Sequence, residues 1–342
     1  MYLFGFLTCF VSFAIGIING QTSGVINGQY YLCLPTGTPC PTTPPNTIDP
    51  RIVTPTGTQP GTPSGTQPNC PAGTTPCYGV SKACGTRLVP EPVSTAAGPT
   101  TIGAYPWQAY LRNATHSFAG SGALIYPSYV VTAAHKVYLN VNTPTAVTVL
   151  MGVWNPTNLI NVQTSTVAQI IVHEAFDPAT LKNDIALLRL TQPMVIGIYN
   201  NINTICLPAA GASYVGQTCP VSGWGQTAFT TFDAPTNPQK QASGPIVSYA
   251  TCRASMAAAN LLGANVDTYL DPNGEICMGG MSMLDACTQD GGSPLVCVGP
   301  TSYSLVGLVI WGKNCGMANV YGVYVNIPYY LSWIQGKVTA AG

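Results

Sequence analysis

Residues 287–297 read Cys287-Thr288-Gln289-Asp290-Gly291-Gly292-Ser293-Pro294-Leu295-Val296-Cys297. This stretch lies in a part of the chain whose texture changes after about Pro90. From there, short β-rich runs recur at Trp107–Leu111, Gly122–Ile125, Tyr129–Thr132, Val147–Leu150, Val167–Val172, Ile185–Leu190, Leu305–Trp311 and Gly322–Val325. Strands parted by Gly, Pro and Asn turns predict an all-β barrel or sandwich. Tyr329–Val338 predicts one closing helix. Ser94 to Val338 spans 245 residues, a length one all-β domain can reach.

Upstream the composition is different. Between Pro35 and Pro76, 12 of 42 residues are Pro, 12 are Thr and 5 are Gly, and only Asp49 and Arg51 are charged. Proline removes donors and fixes φ, and few residues here are large and apolar, so an extended linker without a packed core is expected. Met1 to Ile18 carries no charge and is followed by Asn19-Gly20, which reads as a secretory leader cut before Gln21. A short membrane anchor is the competing reading. The predicted organisation is therefore a leader at 1–20, a Pro/Thr/Gly-rich segment at 21–90 and a globular domain at 94–338.

Charge is scarce throughout. Lys and Arg number 11, Asp and Glu number 11, and charged residues make up only 6% of the chain. A nucleic-acid binder, a coiled coil and a charge-driven disordered tail are excluded by that balance. Of 13 cysteines, Cys9 falls in the leader, which leaves 12 for an oxidising compartment. The sequon Asn113-Ala114-Thr115 is a candidate glycosylation site.

Seven motifs in register then carry a resemblance. Tyr105-Pro106-Trp107-Gln108, Thr132-Ala133-Ala134-His135, Asn183-Asp184-Ile185-Ala186-Leu187-Leu188, Gly223-Trp224-Gly225, the 287–297 stretch, Trp311-Gly312 and Tyr321-Gly322-Val323-Tyr324 follow one another as in chymotrypsin-like serine proteases. Leu331-Ser332-Trp333-Ile334 is similar to that family's terminal helix. The resemblance implies an all-β, chymotrypsin-like double β-barrel with a C-terminal helix. It places His135 at the base, Asp184 at the carboxylate that orients the base, and Asp285, Gly312 and Gly322 at a trypsin-like specificity pocket. Such chemistry needs a hydroxyl nucleophile, a His base, an Asp to orient it and backbone N–H donors for the oxyanion.

The nucleophile is missing. Where the family has Gly-Asp-Ser-Gly-Gly-Pro, this chain has Gln289-Asp290-Gly291-Gly292-Ser293-Pro294, so Gly291 stands at the nucleophile position and Gln289 at the oxyanion-hole glycine. Ile310 stands where a serine supports the Asp–His pair. The activation segment corresponds to Ser94-Thr95-Ala96-Ala97, preceded by Val93, with no basic residue to cut after. Asp290 is thus expected to lack its usual ammonium partner, leaving the specificity pocket zymogen-like. The expected protein is a pseudoprotease with no cofactor and no metal.

The resemblance also implies pairs Cys219–Cys297, Cys252–Cys277, Cys287–Cys315 and Cys84–Cys206. Gly120 and Lys136 occupy the two positions of the family's bridge beside the catalytic histidine. Cys33, Cys40, Cys70 and Cys77 allow three pairings, and the amino-terminal part loosely resembles the clip-type regions of arthropod protease homologues. Arg51-Ile52 and Arg87-Leu88 are the expected processing sites. The function implied is a secreted, non-catalytic cofactor or adaptor in an extracellular proteolytic cascade, such as arthropod immunity or melanisation. Its partner would be an extracellular protease or a protease substrate, with no nucleic acid and no membrane once the leader is removed. The alternatives are an active trypsin-like protease using Ser293, or a structural or adhesive component of a matrix or secretion.

Overall fold

This computed structural model describes residues 23–26, 29–38, 40, 70–79, 82–89, 97–226, 234–258, 260–281, 289–299, 301–313 and 316–340. The leader, most of the Pro/Thr-rich stretch, the segment Ser94-Thr95-Ala96, Asp285 and the pair Cys287–Cys315 lie outside these residues, and so do the readings that rest on them.

Six antiparallel strands close into a first barrel: β5 (Gln108–Arg112), β6 (Phe118–Tyr126), β7 (Tyr129–Thr132), β8 (Thr148–Met151), β9 (Gln163–Val172) and β10 (Ala186–Leu190), in the order β10-β7-β6-β5-β8-β9. Successive side chains of a strand point to opposite faces. Leu124, Val130 and Leu188 accordingly fill this barrel together with Leu111, Val149, Met151 and Val167. Their neighbours Ala123, Ile125, Val131 and Leu187 face outward into a second core shared with the other half of the domain. Burial on both faces explains why these strands read as unbroken apolar runs rather than alternating ones.

The second half uses β11 (Thr218–Gly223), β12 (Lys240–Val247), β13 (Glu275–Gly279), β14 (Pro294–Val298), β15 (Tyr303–Trp311) and β16 (Tyr321–Val325). They run in the order β11-β14-β15-β16-β13-β12, and the β11–β12 pairing closes the ring, with β4 (Ala97–Pro99) added outside β12. Val221, Met278, Leu295, Val306, Val309 and Tyr324 form its interior. The carboxy-terminal helix α3 (Ile327–Ala340) buries Ile327, Tyr330, Leu331 and Ile334, the i, i+3, i+4, i+7 stripe of a surface helix. Two shorter helices, α1 (Tyr249–Met256) and α2 (Val266–Tyr269), precede β13; the Ser248 hydroxyl caps α1 by accepting a hydrogen bond from Thr251 N. Among the described residues no helix is long and apolar enough to cross a membrane.

Disulfides join Cys219 to Cys297, Cys252 to Cys277 and Cys84 to Cys206. The last bridge anchors a closely fitted junction. Gly85 N donates to Thr204 O, Tyr303 N donates to Gly85 O, and Asn203 Nδ2 donates to both Ala83 O and Thr86 O. The Arg87 guanidinium stacks 4.4 Å from the Tyr303 ring and 5.1 Å from Tyr105. Arg87, expected above at a processing site, is seated against these two rings.

At the amino-terminal end, β1 (Ser23–Ile26), β2 (Gln29–Pro35) and β3 (Thr74–Tyr78) form a small sheet in that order. Cys33–Cys70 and Cys40–Cys77 select one of the three possible pairings. Leu32, Leu34 and Cys77 pack on Val195, so the two ends of the Pro/Thr-rich region do reach a core.

Glu275, at the start of β13, is 5% exposed and accepts hydrogen bonds from Asp271 N and Trp311 Nε1. Burial outweighs both donors and pushes its carboxyl up to about 8. Between the ordinary carboxylate range and that value the folded chain holds a proton that the unfolded chain has released. Its contribution to stability is therefore full at low pH and lost as pH rises toward 8. Replacing Glu275 with Gln is expected to remove that slope. Urea midpoints between pH 5 and 9 should show wild type losing stability relative to the variant by a few kcal/mol, at about 1.4 kcal/mol per tenfold change in proton affinity. Parallel pH profiles would refute the assignment.

Candidate functional site

The cleft between the two halves gathers residues from distant parts of the chain. His135 sits in a one-turn helix, Ala134–Lys136, directly after β7. Asp184 precedes β10, which pairs with β7 so that Ala186 faces Thr132. The ladder thereby sets the carboxylate beside the imidazole: His135 Nδ1 lies 2.6 Å from Asp184 Oδ2, and His135 N donates to Asp184 Oδ1 at 2.7 Å. The Asp184 side chain has no exposed surface, and the His135 side chain keeps 23%. Asn183, in a left-handed conformation (φ 53°), accepts a hydrogen bond on Oδ1 from Tyr330 OH and so ties α3 to this corner. Ile310 is buried in the core with Ala133 and Ile185 and brings no hydroxyl to the pair. The His173 ring packs against those of Tyr330 and Trp333.

Facing His135 Nε2 is Gly291. A Cβ at that residue would stand 2.7 Å from His135 Nε2 and 3.0 Å from Lys136 Cδ. The imidazole and the lysine arm have closed over the place where a nucleophile's side chain would start. Gly120, opposite, would put a Cβ 2.4 Å from Lys136 Cε. Gly120 and Lys136 do lie against each other, as two halves of a bridge would, and the lysine arm fills the gap between them.

The loop around Gly291 is firmly held. Ser121 N donates to Gly291 O, Gly292 N to Val309 O, and Ser293 N to Asp290 O. Gly292 has φ 81°, and a Cβ there would come 2.1 Å from Ser121 O, so only glycine fits. Gln289 keeps a left-handed backbone, φ 70°, in which glycine would be unstrained. Ser293 is fully buried, and its Oγ points toward β11: a Cβ on Gly223 would be 2.6 Å from it. It is Gly291, not Ser293, that meets the histidine.

Asp290 departs from the sequence reading. It was expected to lack a cationic partner, yet Lys240 Nζ, at the start of β12, lies 2.9 Å from its Oδ2. Gly225 N donates to its Oδ1 at 2.8 Å. The glycines of Gly223-Trp224-Gly225 make room for this carboxylate, since a Cβ on either would fall within 2.4 Å of Asp290 side-chain atoms. A lysine from within the chain therefore stands where a freed amino terminus was expected to serve. Gly312 directly follows β15, and a Cβ on it would lie 3.8 Å from Gly322 Cα. Asp285, the third residue assigned to that pocket, is outside the described residues. Among the described residues no group of three or more His, Cys, Asp or Glu could hold a metal.

The trypsin family model matches residues 97–334. The chain is a member of the trypsin family. Among its relatives, the inactive CLIP domain-containing serine protease A3 of Aedes aegypti is 39% identical over 326 residues, covering 92% of this chain and 68% of the relative. Protein masquerade of Drosophila melanogaster is 35% identical over 239 residues, 68% of this chain and 22% of that protein. Mouse tryptase is 35% identical over 241 residues, again 68% of this chain and 84% of the relative. Within the trypsin family the chain is a clip-type serine protease homologue, a pseudoprotease with Gly291 at the nucleophile position.

Proposed function

We propose that this pseudoprotease is secreted and acts as a binding cofactor or adaptor in an extracellular proteolytic cascade, with a protease or a protease substrate as partner. Arthropod immunity and melanisation are the settings proposed. The observation that carries the reading is the state of the cleft. The nucleophile is gone, but the His135–Asp184 pair and the Lys240–Asp290 pair remain built, each on a buried carboxylate. A fold kept intact without its chemistry is available as a surface. The 12 cysteines outside the leader suit an oxidising, extracellular setting. Asn113, the proposed glycan acceptor, is exposed, and its Oδ1 accepts hydrogen bonds from the Thr115 and Ser117 amides.

The test is a reconstituted step: an arginine-specific extracellular protease with its zymogen substrate, with and without the purified full-length chain. A saturable change in processing rate, at concentrations matching binding measured separately, is expected. Absence of both binding and rate change would reject the cascade role. Recovery of the chain as an insoluble, cross-linked matrix component would favour a structural role instead.

A further inference from the structure

A carboxylate as deeply buried as that of Asp290, 2% exposed, needs a cation close by. A cation carried on a new chain end exists only after a cut, whereas one carried on a strand is present as soon as the strand pairs. Lys240 is of the second kind. Its backbone pairs on both sides, with Gly223 of β11 and with Pro99 of β4, and this register sets Nζ 2.9 Å from Asp290 Oδ2. The surroundings of the pair are filled. Val221, Ser222, Gly223, Gln241 and Ala242 leave a cavity of about 10 Å³ beside the two side chains, room for one water and not for a chain end.

The pair in turn anchors a wall of the cleft. Asp290 O accepts from Ser293 N, Gly292 N donates to Val309 O, and Ser121 N donates to Gly291 O, so the loop ties β15 of the second barrel to β6 of the first. Every group in these contacts lies at or after Pro99, downstream of both expected processing sites, Arg51-Ile52 and Arg87-Leu88. We propose that Lys240 is an internal latch that holds the 289–293 loop in its final form in the uncut chain, so that the cleft needs no proteolytic activation. Processing at either arginine then changes what is attached to the domain and leaves the cleft as it was. That the ordered cleft serves a partner rests on the adaptor reading above; the latch itself does not.

The test is amide hydrogen exchange of the full-length chain, read on peptides covering 289–297 before and after treatment with an arginine-specific protease. Equally slow exchange in both states is expected. Lys240→Ala is expected to speed it about a hundredfold, the local counterpart of removing one partner of a buried ion pair. Lys240→Arg, which keeps the cation, should retain most of the protection. Propylammonium, which replaces the atoms that Lys240→Ala removes, should restore part of it, and tetramethylammonium at the same ionic strength should not. Free exchange in the intact wild type that slows only after the cut would overturn the proposal, and so would unchanged exchange in Lys240→Ala. The wild-type comparison needs no variant to fold. A loop ordered before the cut in a chain that binds no protease or zymogen would count against the adaptor reading and leave the latch standing.

Discussion

Replacing Lys240 with methionine is expected to cost about 3–5 kcal/mol, the range measured when one partner of a buried ion pair is removed. The Asp290 side chain is 3% exposed and that of Lys240 19%. Methionine keeps the aliphatic length of lysine and removes only the charge. Asp290 would retain the Gly225 amide but lose its cation, and a buried carboxylate without one resists ionisation. Thermal unfolding should fall by roughly ten degrees, given about 2–4 °C per kcal/mol in a domain of this size. Asp290→Asn should cost less, because it frees the better-solvated partner. The double variant should recover part of the Lys240→Met loss, and the remainder is the coupling between the two. A Lys240→Met protein within about 1 kcal/mol of wild type would show that the pair does not hold the loop.

Why this lysine was invisible in the sequence, while the barrels were not, has a physical reason. Runs such as Ile185-Ala186-Leu187-Leu188 announce themselves because each strand is buried on both faces, a property local to the run. The positions of His135, Asp184 and Gly291 follow from motifs in fixed order. Lys240 lies in Gln239-Lys240-Gln241, which looks like a solvated face, and its partner is 50 residues away. Only the β11–β12 pairing, with Gly223 opposite Lys240, brings the ammonium to the carboxylate. Lys136 was legible as a lost cysteine but not as a filler of the nucleophile site, because its course depends on two glycines far off in sequence. Strand β3 was missed for another reason: Thr74-Thr75-Pro76 looks like linker, and proline is tolerated there because β3 is an edge strand.

Restoring serine at position 291 is expected to restore no detectable peptide or ester hydrolysis. In a working triad the nucleophile is worth on the order of 10⁶ in kcat, so a single substitution could in principle produce the largest change available in this chain. Here the geometry opposes it. The new Cβ would lie 2.7 Å from His135 Nε2, closer than non-bonded atoms settle, and 3.0 Å from Lys136 Cδ. The imidazole cannot easily retreat, because Asp184 holds both its Nδ1 and its backbone N–H. The lysine arm is blocked on its far side by Gly120. Overpacking of this kind costs about 1–3 kcal/mol and displaces the groups that would have to cooperate. The hydroxyl would also act beside Gln289, which stands at the oxyanion-hole glycine, and removing a single oxyanion donor alone costs about 10²–10³ in kcat. Gly291→Ser should therefore show no burst with an active-site titrant and no stoichiometric uptake of an organophosphorus serine reagent. Adding Lys136→Ala relieves one of the two overlaps, so any labelling should appear first in the double variant. Near-stoichiometric labelling of the single variant would mean that His135 and Lys136 yield readily, and that the centre lost its chemistry with the serine alone.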